Sequence, residues 1–191
     1  MSGKSSVIES AEDRRRLLRL AREAARRKLG AAGDELMEKP DIKGWFGGAF
    51  VTFWAGKRLR GCVGTFVPST DIAATIQEVT QASLNDERFA SNPITADELK
   101  DLEIEISILS DLGATTDPVS LVPGTHGIVV RRGGRSGCFL PKVATDRSWS
   151  SREFLSNCCT MKAGLPADAW RSPDAEVLLF TADVFCESEF T

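Results

Sequence analysis

Histidine is nearly absent from this chain. His126 is the only one, and it stands apart in sequence from the five cysteines Cys62, Cys138, Cys158, Cys159 and Cys186, none of which belongs to a C-x-x-C pair. The Cys/His spacing of a structural zinc site is therefore missing, and no metal is expected. Long apolar runs are missing too. No stretch approaches the roughly 18 consecutive apolar residues that read as a membrane span, and the opening Met-Ser-Gly-Lys-Ser-Ser lacks the apolar run of a secretory signal. An odd number of cysteines in a chain long enough to fold without staples argues for free thiols in a reducing compartment, so a cytoplasmic location is expected. There is no G-x-x-x-x-G-K-S/T loop and no G-x-G-x-x-G after a strand, which removes the common phosphate cradles. Gly134-Arg135-Ser136-Gly137 imitates a nucleophile elbow only as far as Cys138, where that turn needs glycine. Paired-carboxylate motifs, internal repeats and low-complexity segments are absent as well. A formal net charge of −3 and a pI near 5.3 provide no global field for a nucleic-acid backbone.

What is present suits one globular domain or two closely packed subdomains: 191 residues, 42% of them apolar, enough for a hydrophobic core. Residues 1–9 are small and polar and read as a flexible tail. Ser10 then has the position of a helix N-cap, with Glu12 and Asp13 in the first turn and Arg26, Arg27 and Lys28 in the last. Leu17, Leu18, Ala21, Ala24, Ala25 and Leu29 form one apolar stripe, leaving Arg15, Arg19, Arg22 and Arg26 outside. Those arginines are read as a solvated face, with an acidic partner as the alternative.

Residues 49–54 and 59–66 predict a β-hairpin across Ala55-Gly56-Lys57, in whose second strand Arg60 and Cys62 share a face. Ser69 or Thr70 is expected to cap a helix carrying Ile72, Ile76 and Val79. Thr95 with Glu98 has the form of a capping box. The alternation of Leu102, Ile104, Ile106 and Ile108 with Glu103, Glu105 and Ser107 predicts a half-buried strand. A long connection over 111–124 marks a subdomain boundary. A second hairpin follows, Gly127–Arg131 and Ser136–Leu140 around Gly133-Gly134. A helix opens at Ser150 with Glu153 and closes at Gly164. Residues 177–185 read as one core strand. Hairpins interspersed with helices give an α+β class with mostly antiparallel sheets flanked by helices.

Leu59-Arg60-Gly61-Cys62-Val63-Gly64 places two glycines inside a strand, which marks a bulge or the close approach of a ligand or another backbone. A positive charge beside Cys62 would favour the thiolate; the alternative is a small apolar side chain filling space, as most free cysteines do. His126 can serve as a base for such a thiol or as an ordinary hydrogen-bonded residue. Cys158 and Cys159 are read as packing residues. Arg131, Arg132 and Arg135 form either an anion site or an exposed hairpin tip.

These segments, together with Asn85-Asp86-Glu87-Arg88-Phe89, Glu103 to Ser110, His126-Gly127-Ile128, Ser136 to Ala144 and Lys162-Ala163-Gly164-Leu165-Pro166, resemble in order and spacing the signatures of the AMMECR domain family. The resemblance covers about residues 10–190. It implies an α+β domain in two unequal lobes with a cleft bordered by the Leu-Arg-Gly-Cys segment. Biochemical activity in the family is unsettled; some prokaryotic members accompany Memo-like and radical-SAM proteins, which the resemblance offers as partners, and no cofactor follows from it. Carried over by motif are Arg60, Gly61, Cys62 and Gly64, then Asp86, Arg88 and Phe89, then His126. Glu87 stands where the family usually has Pro and Lys142 where it usually has Gln, departures that bear on ligand preference. The preferred reading is a binding or regulatory module for a small molecule, peptide or protein. The alternative is a thiol enzyme with Cys62 as nucleophile, Arg60 or Arg88 holding an anion and His126 or Asp86 moving protons. RNA binding ranks third, because the chain is acidic and has no aromatic RNA-recognition motif.

Overall fold

The computed structural model describes residues 8–31 and 38–190. Of the tail expected over residues 1–9, residues 1–7 lie outside the described residues. Ile8 is buried, its N–H donates to Asp183 Oδ2 at 2.9 Å, and its carbonyl accepts Arg14 Nε at 2.7 Å. The chain forms two compact units, one of residues 110–182 and one of the preceding residues together with 183–190. Each has its own four-stranded sheet and its own core, and the fold is α+β as the hairpin and helix patterns predicted.

The unit containing the N-terminal half begins with α1 (Ala11–Lys28), which Ser10 caps by accepting the Asp13 N–H at 3.2 Å. It ends where Gly30 turns left-handed at φ +72°: Ala31 N–H reaches Arg26 O and Gly30 N–H reaches Arg27 O, the bond pair of a glycine-terminated helix. Leu17, Leu18, Ala21, Ala24 and Ala25 are buried as the stripe predicted. Arg22 departs from its expected solvated place. Its guanidinium donates to the Leu99 and Leu102 carbonyls at 2.5 and 2.6 Å and pairs with Glu187. A long arginine stem can carry its charge along an apolar surface to distant acceptors, which a helical-wheel count does not register.

The sheet of this unit runs β2-β1-β3-β8, from β1 (Gly48–Ala55), β2 (Arg58–Thr65), β3 (Glu103–Leu109) and β8 (Ala182–Cys186). β1 is antiparallel to both β2 and β3. Ala49, Val51 and Phe53 pair with Ile108, Ile106 and Ile104 and share one face, buried with Leu17, Ile72 and Ile76 of the helices. The expected half-buried β3 alternates only at its start; every residue from Ile106 to Leu109 is buried. Helix α2 (Ile72–Leu84) is capped by Asp71, not by Ser69 or Thr70: Asp71 Oδ1 accepts the Ala74 N–H at 3.0 Å, and Ser69 Oγ serves the Asp71 N–H instead. A short helix, α3 (Ala96–Leu99), follows.

The second unit orders its strands β4-β7-β5-β6, from β4 (Gly113–Ala114), β5 (Gly127–Arg132), β6 (Arg135–Phe139) and β7 (Glu176–Phe180). Gly133 and Gly134, at φ +54° and +77°, make the two-residue turn of the predicted hairpin. Pro141 opens an unforeseen helix, α4 (Pro141–Asp146). Helix α5 (Ser151–Cys158) has a complete capping box between Ser150 and Glu153, then widens into a π turn over Cys159–Ala163 that Gly164 ends. Cys158 and Cys159 are buried among Phe154, Leu155 and Trp170. The apolar run 177–185 is two strands in two different sheets, not one. Its break lies at Thr181, where Thr181 N–H donates to Ser110 Oγ at 2.9 Å and Ser110 N–H donates to Thr181 O at 3.0 Å. A continuous run of apolar residues carries no mark of such a change of sheet. Among the described residues no helix is long and apolar enough to cross a membrane.

Candidate functional site

The edge strand β2 gathers most of the residues singled out in the sequence. Its register against β1 slips between Phe53 and Trp54: Phe53 faces Gly61 and Trp54 faces Leu59, so Arg60 is the extra residue of a β-bulge. The bulge delivers the Arg60 side chain, 2% exposed, to Glu98 on α3. Arg60 Nε and Nη2 grip both oxygens of that carboxylate, the latter at 2.8 Å, and Nη2 also reaches the Asn92 carbonyl at 3.1 Å. The pairing holds the Glu98 carboxyl below its ordinary value. Thr95 does accept the Glu98 N–H, but Glu98 gives its side chain to Arg60, so the expected capping box is one-sided.

Asp86, Arg88 and Phe89 lie on a short 3₁₀ turn beside β2. The buried Asp86 carboxylate accepts the Cys62 N–H at 3.0 Å, the Arg88 N–H at 3.1 Å and Arg88 Nε at 2.9 Å. Arg88 Nη2 returns to the Cys62 carbonyl at 3.0 Å. Both backbone polar groups of Cys62 are thus met by side chains, in the way a neighbouring strand would meet them. Hydrogen bonding from Arg88, assisted by the Cys62 and Arg88 amides, holds the Asp86 carboxyl at about 2. The Phe89 ring completes the corner, with Arg60 Cζ 5.9 Å and Arg88 Cζ 5.7 Å from its centroid.

The Cys62 thiol is half-buried and accepts a hydrogen bond from Thr52 Oγ1 at 3.2 Å across the strand pair. Burial pushes its pKa up; Thr52 and the Arg88 charge oppose this, while Asp86 and Glu105 add to it. The thiolate that an adjacent Arg60 would have favoured is therefore not what the surroundings support, because Arg60 spends its charge on Glu98 and Arg88 spends much of its own on Asp86. Both glycines are explained inside the fold. A Cβ at Gly61 would stand 2.2 Å from the Ser83 carbonyl of α2, and one at Gly64 would stand 2.2 Å from the Phe50 ring, which covers that glycine from β1. His126 belongs to the other unit, where its Nδ1 accepts the Val122 N–H at 2.9 Å in the loop before β5. Among the described residues no cluster of three or more His, Cys, Asp or Glu side chains could hold a metal ion.

The sequence did not single out Glu98 and Thr52 as members of this corner. Thr52 was recoverable once β1 and β2 were paired, since it stands opposite Cys62. Glu98 was hidden by its second role at a helix start.

The family model described as AMMECR1 matches residues 18–185 of this chain. The chain belongs to the AMMECR1 family. A Methanopyrus kandleri relative, Protein MK0488, is 39% identical over 186 residues, covering 91% of this chain and 87% of the relative. A protein of Methanothermobacter thermautotrophicus is 35% identical over 187 residues, covering 93% and 96%. The crystal structure of the uncharacterised protein PH0010 from Pyrococcus horikoshii superposes with a TM-score of 0.78 at 31% identity, covering 90% of this chain and 89% of that one. The AMMECR1 assignment thus spans both units, and the motifs around Arg60, Cys62 and Asp86 fall within the matched residues.

Proposed function

We propose that this AMMECR1-family chain is a cytosolic binding or regulatory module whose ligand, a small molecule, peptide or protein, is received at the β2 corner around Cys62, Arg88 and Phe89. The observation that carries the reading is the way this corner uses its charged groups. Arg60 and Asp86 are buried and committed to internal partners, and they shape the strand edge. Arg88 is half exposed and Phe89 half-buried, so a guanidinium and a ring are offered at the surface. Rigid positioning of a cation and an aromatic suits recognition. A thiol nucleophile instead needs a stabilised thiolate and a base within reach, and burial works against the first of these at Cys62.

Two measurements test the reading. In the first, the native protein is alkylated with iodoacetamide from neutral to alkaline pH and Cys62 is followed by peptide mass spectrometry, with Cys62→Ser alongside. The expected result is slow labelling with an apparent pKa above the unperturbed value of about 8.5. Rapid labelling at neutral pH would overturn the binding reading in favour of a thiol enzyme. In the second, amide chemical shifts are recorded during titration with metabolite and peptide libraries. Perturbations should gather on residues 60–66 and 86–89 and vanish in Arg88→Ala.

A further inference from the structure

Charge is unevenly distributed along this chain. Helix α1 carries eight Arg and Lys against three Asp and Glu, a net of +5, in a chain whose formal net charge is −3, so the remaining residues carry −8. The basic side chains are not spread evenly around the helix. Arg15, Arg19, Arg22 and Arg26 follow one another at steps of four, three and four residues, which keeps them on one side.

Two depressions adjoin that side and share Arg22 and Glu187 in their walls. The first, about 340 Å³, adds Leu18 and Phe190 to Arg15 and Arg19. The second, about 770 Å³, adds Arg26 and Lys100. Phe190, half-buried, forms an apolar wall with the Arg15 guanidinium 5.2 Å from its ring centroid. Arg22 and Glu187 between them are fixed: Arg22 is tied to two carbonyls, and Glu187 also accepts the Ile104 N–H at 2.8 Å. The surface is therefore a groove with a rigid floor, an apolar end at Phe190, and a rail of basic side chains, Arg19 being 62% and Arg15 48% exposed. The two share one exposed carboxylate of their own helix, Glu12, at 2.9 and 3.6 Å, and exposed pairs of this kind are weak enough to yield to a partner's carboxylates.

We infer that the α1 groove is a docking surface for an acidic, amphipathic segment of a partner protein. Its apolar side chains would pack against the open part of the Phe190 ring and its carboxylates would lie along Arg15, Arg19 and Arg26. Charge complementarity selects the partner's sign, since a strongly positive helix on an otherwise negative body attracts an acidic chain while the body repels it elsewhere, fixing orientation. The apolar end separates this partner from nucleic acid. A phosphate backbone carries no apolar side chain to set against Phe190. This surface is separate from the β2 corner and does not depend on the function proposed there.

The test uses the full chain and three fluorescein-labelled probes of equal length: a helix-forming peptide with Glu and Leu arranged on opposite faces, a poly-glutamate, and a single-stranded oligouridine. Anisotropy is measured at low and high salt on the wild type, on Arg19→Glu/Arg26→Glu, on Phe190→Ala, and on Arg131→Glu/Arg135→Glu as a control on the other unit. The expected result is that the Glu/Leu peptide binds most tightly, weakens at least tenfold in the α1 charge reversal and in high salt, weakens several-fold in Phe190→Ala, and is unmoved by the control. Poly-glutamate should bind more weakly and ignore Phe190→Ala. No binding of the Glu/Leu peptide, or binding that neither α1 variant changes, overturns the inference. Tighter binding of oligouridine, lost in the same charge reversal, overturns it in favour of RNA. Concentration-dependent sedimentation abolished by that reversal assigns the groove to a second copy of the chain instead.

Discussion

Asp86 accepts the backbone N–H of Cys62 at 3.0 Å, and through this bond a side chain stands where the next strand of the sheet would be. Arg88 supplies the complementary donor to the Cys62 carbonyl. The edge strand is thereby closed at its most distinctive residue, and the Asp86–Arg88 pair acts first on the shape of β2.

That relationship has a pH signature. The Asp86 carboxyl is held at about 2 by Arg88, below the unperturbed value of about 3.9. A carboxyl depressed in the folded state stabilises it fully above the unfolded pKa, and the contribution drains away as pH falls through the folded one. Between about pH 4 and about pH 2, urea midpoints of the wild type should fall more steeply than those of Asp86→Asn. Parallel slopes would show that the Asp86 latch adds nothing to stability.

Breaking the Arg60–Glu98 pair should cost more from one side than from the other. Glu98→Ala leaves a guanidinium that is 2% exposed without its carboxylate, a loss of about 3 kcal/mol. Arg60→Met, which removes the buried charge along with its donors, should cost less than Glu98→Ala. Denaturant unfolding of both variants and the double variant measures the coupling.

Gly61→Ala drives a methyl group into the Ser83 carbonyl, a backbone atom that cannot rotate away. The expected cost is about 2–3 kcal/mol, with amide protection lost across β2 and the end of α2. Gly133→Ala meets no atom within 4 Å but sits at φ +54°, so it should cost only about 1 kcal/mol from the left-handed backbone. Hydrogen exchange on the two variants separates collision from conformation.

Ser148 offers a stabilising change. It is exposed and holds φ +52° at the end of α4, where Ser148 N–H bonds Thr145 O and Trp149 N–H bonds Ala144 O. That is the position a glycine normally takes. Ser148→Gly should raise stability by about 1 kcal/mol, because the left-handed backbone no longer carries a Cβ. A lowered thermal midpoint would show that the serine hydroxyl has an offsetting role.

The sequence disclosed elements whose signals are local. Ser10 and Ser150 announced their helices, Gly133 and Gly134 their turn, and the stripe of α1 its buried face. It also brought forward Arg60, Cys62, Asp86, Arg88 and Phe89, which the structure sets together at one corner. What stayed hidden depended on contacts between distant residues. Glu98 matched a capping box perfectly well in sequence, yet a buried arginine 38 positions away claimed its carboxylate. Arg22 looked solvated until Leu99, Leu102 and Glu187 supplied acceptors. Position 61 announced a close approach without saying to what, and the answer was the helix of the same unit.

The break at Thr181 has a consequence for how the chain is made. β8 is synthesised after all of residues 110–180, yet it belongs beside β3 in the sheet that β1, β2 and β3 begin. Until residues 182–186 have left the ribosome, that sheet has three strands and β3 presents an unpaired edge. Residues 110–182, by contrast, form an uninterrupted stretch and can close their own sheet without waiting for anything downstream. The order of completion is the reverse of the order of synthesis: the unit begun first is finished last, and its exposed edge is the interval in which the nascent chain is most open to mispairing.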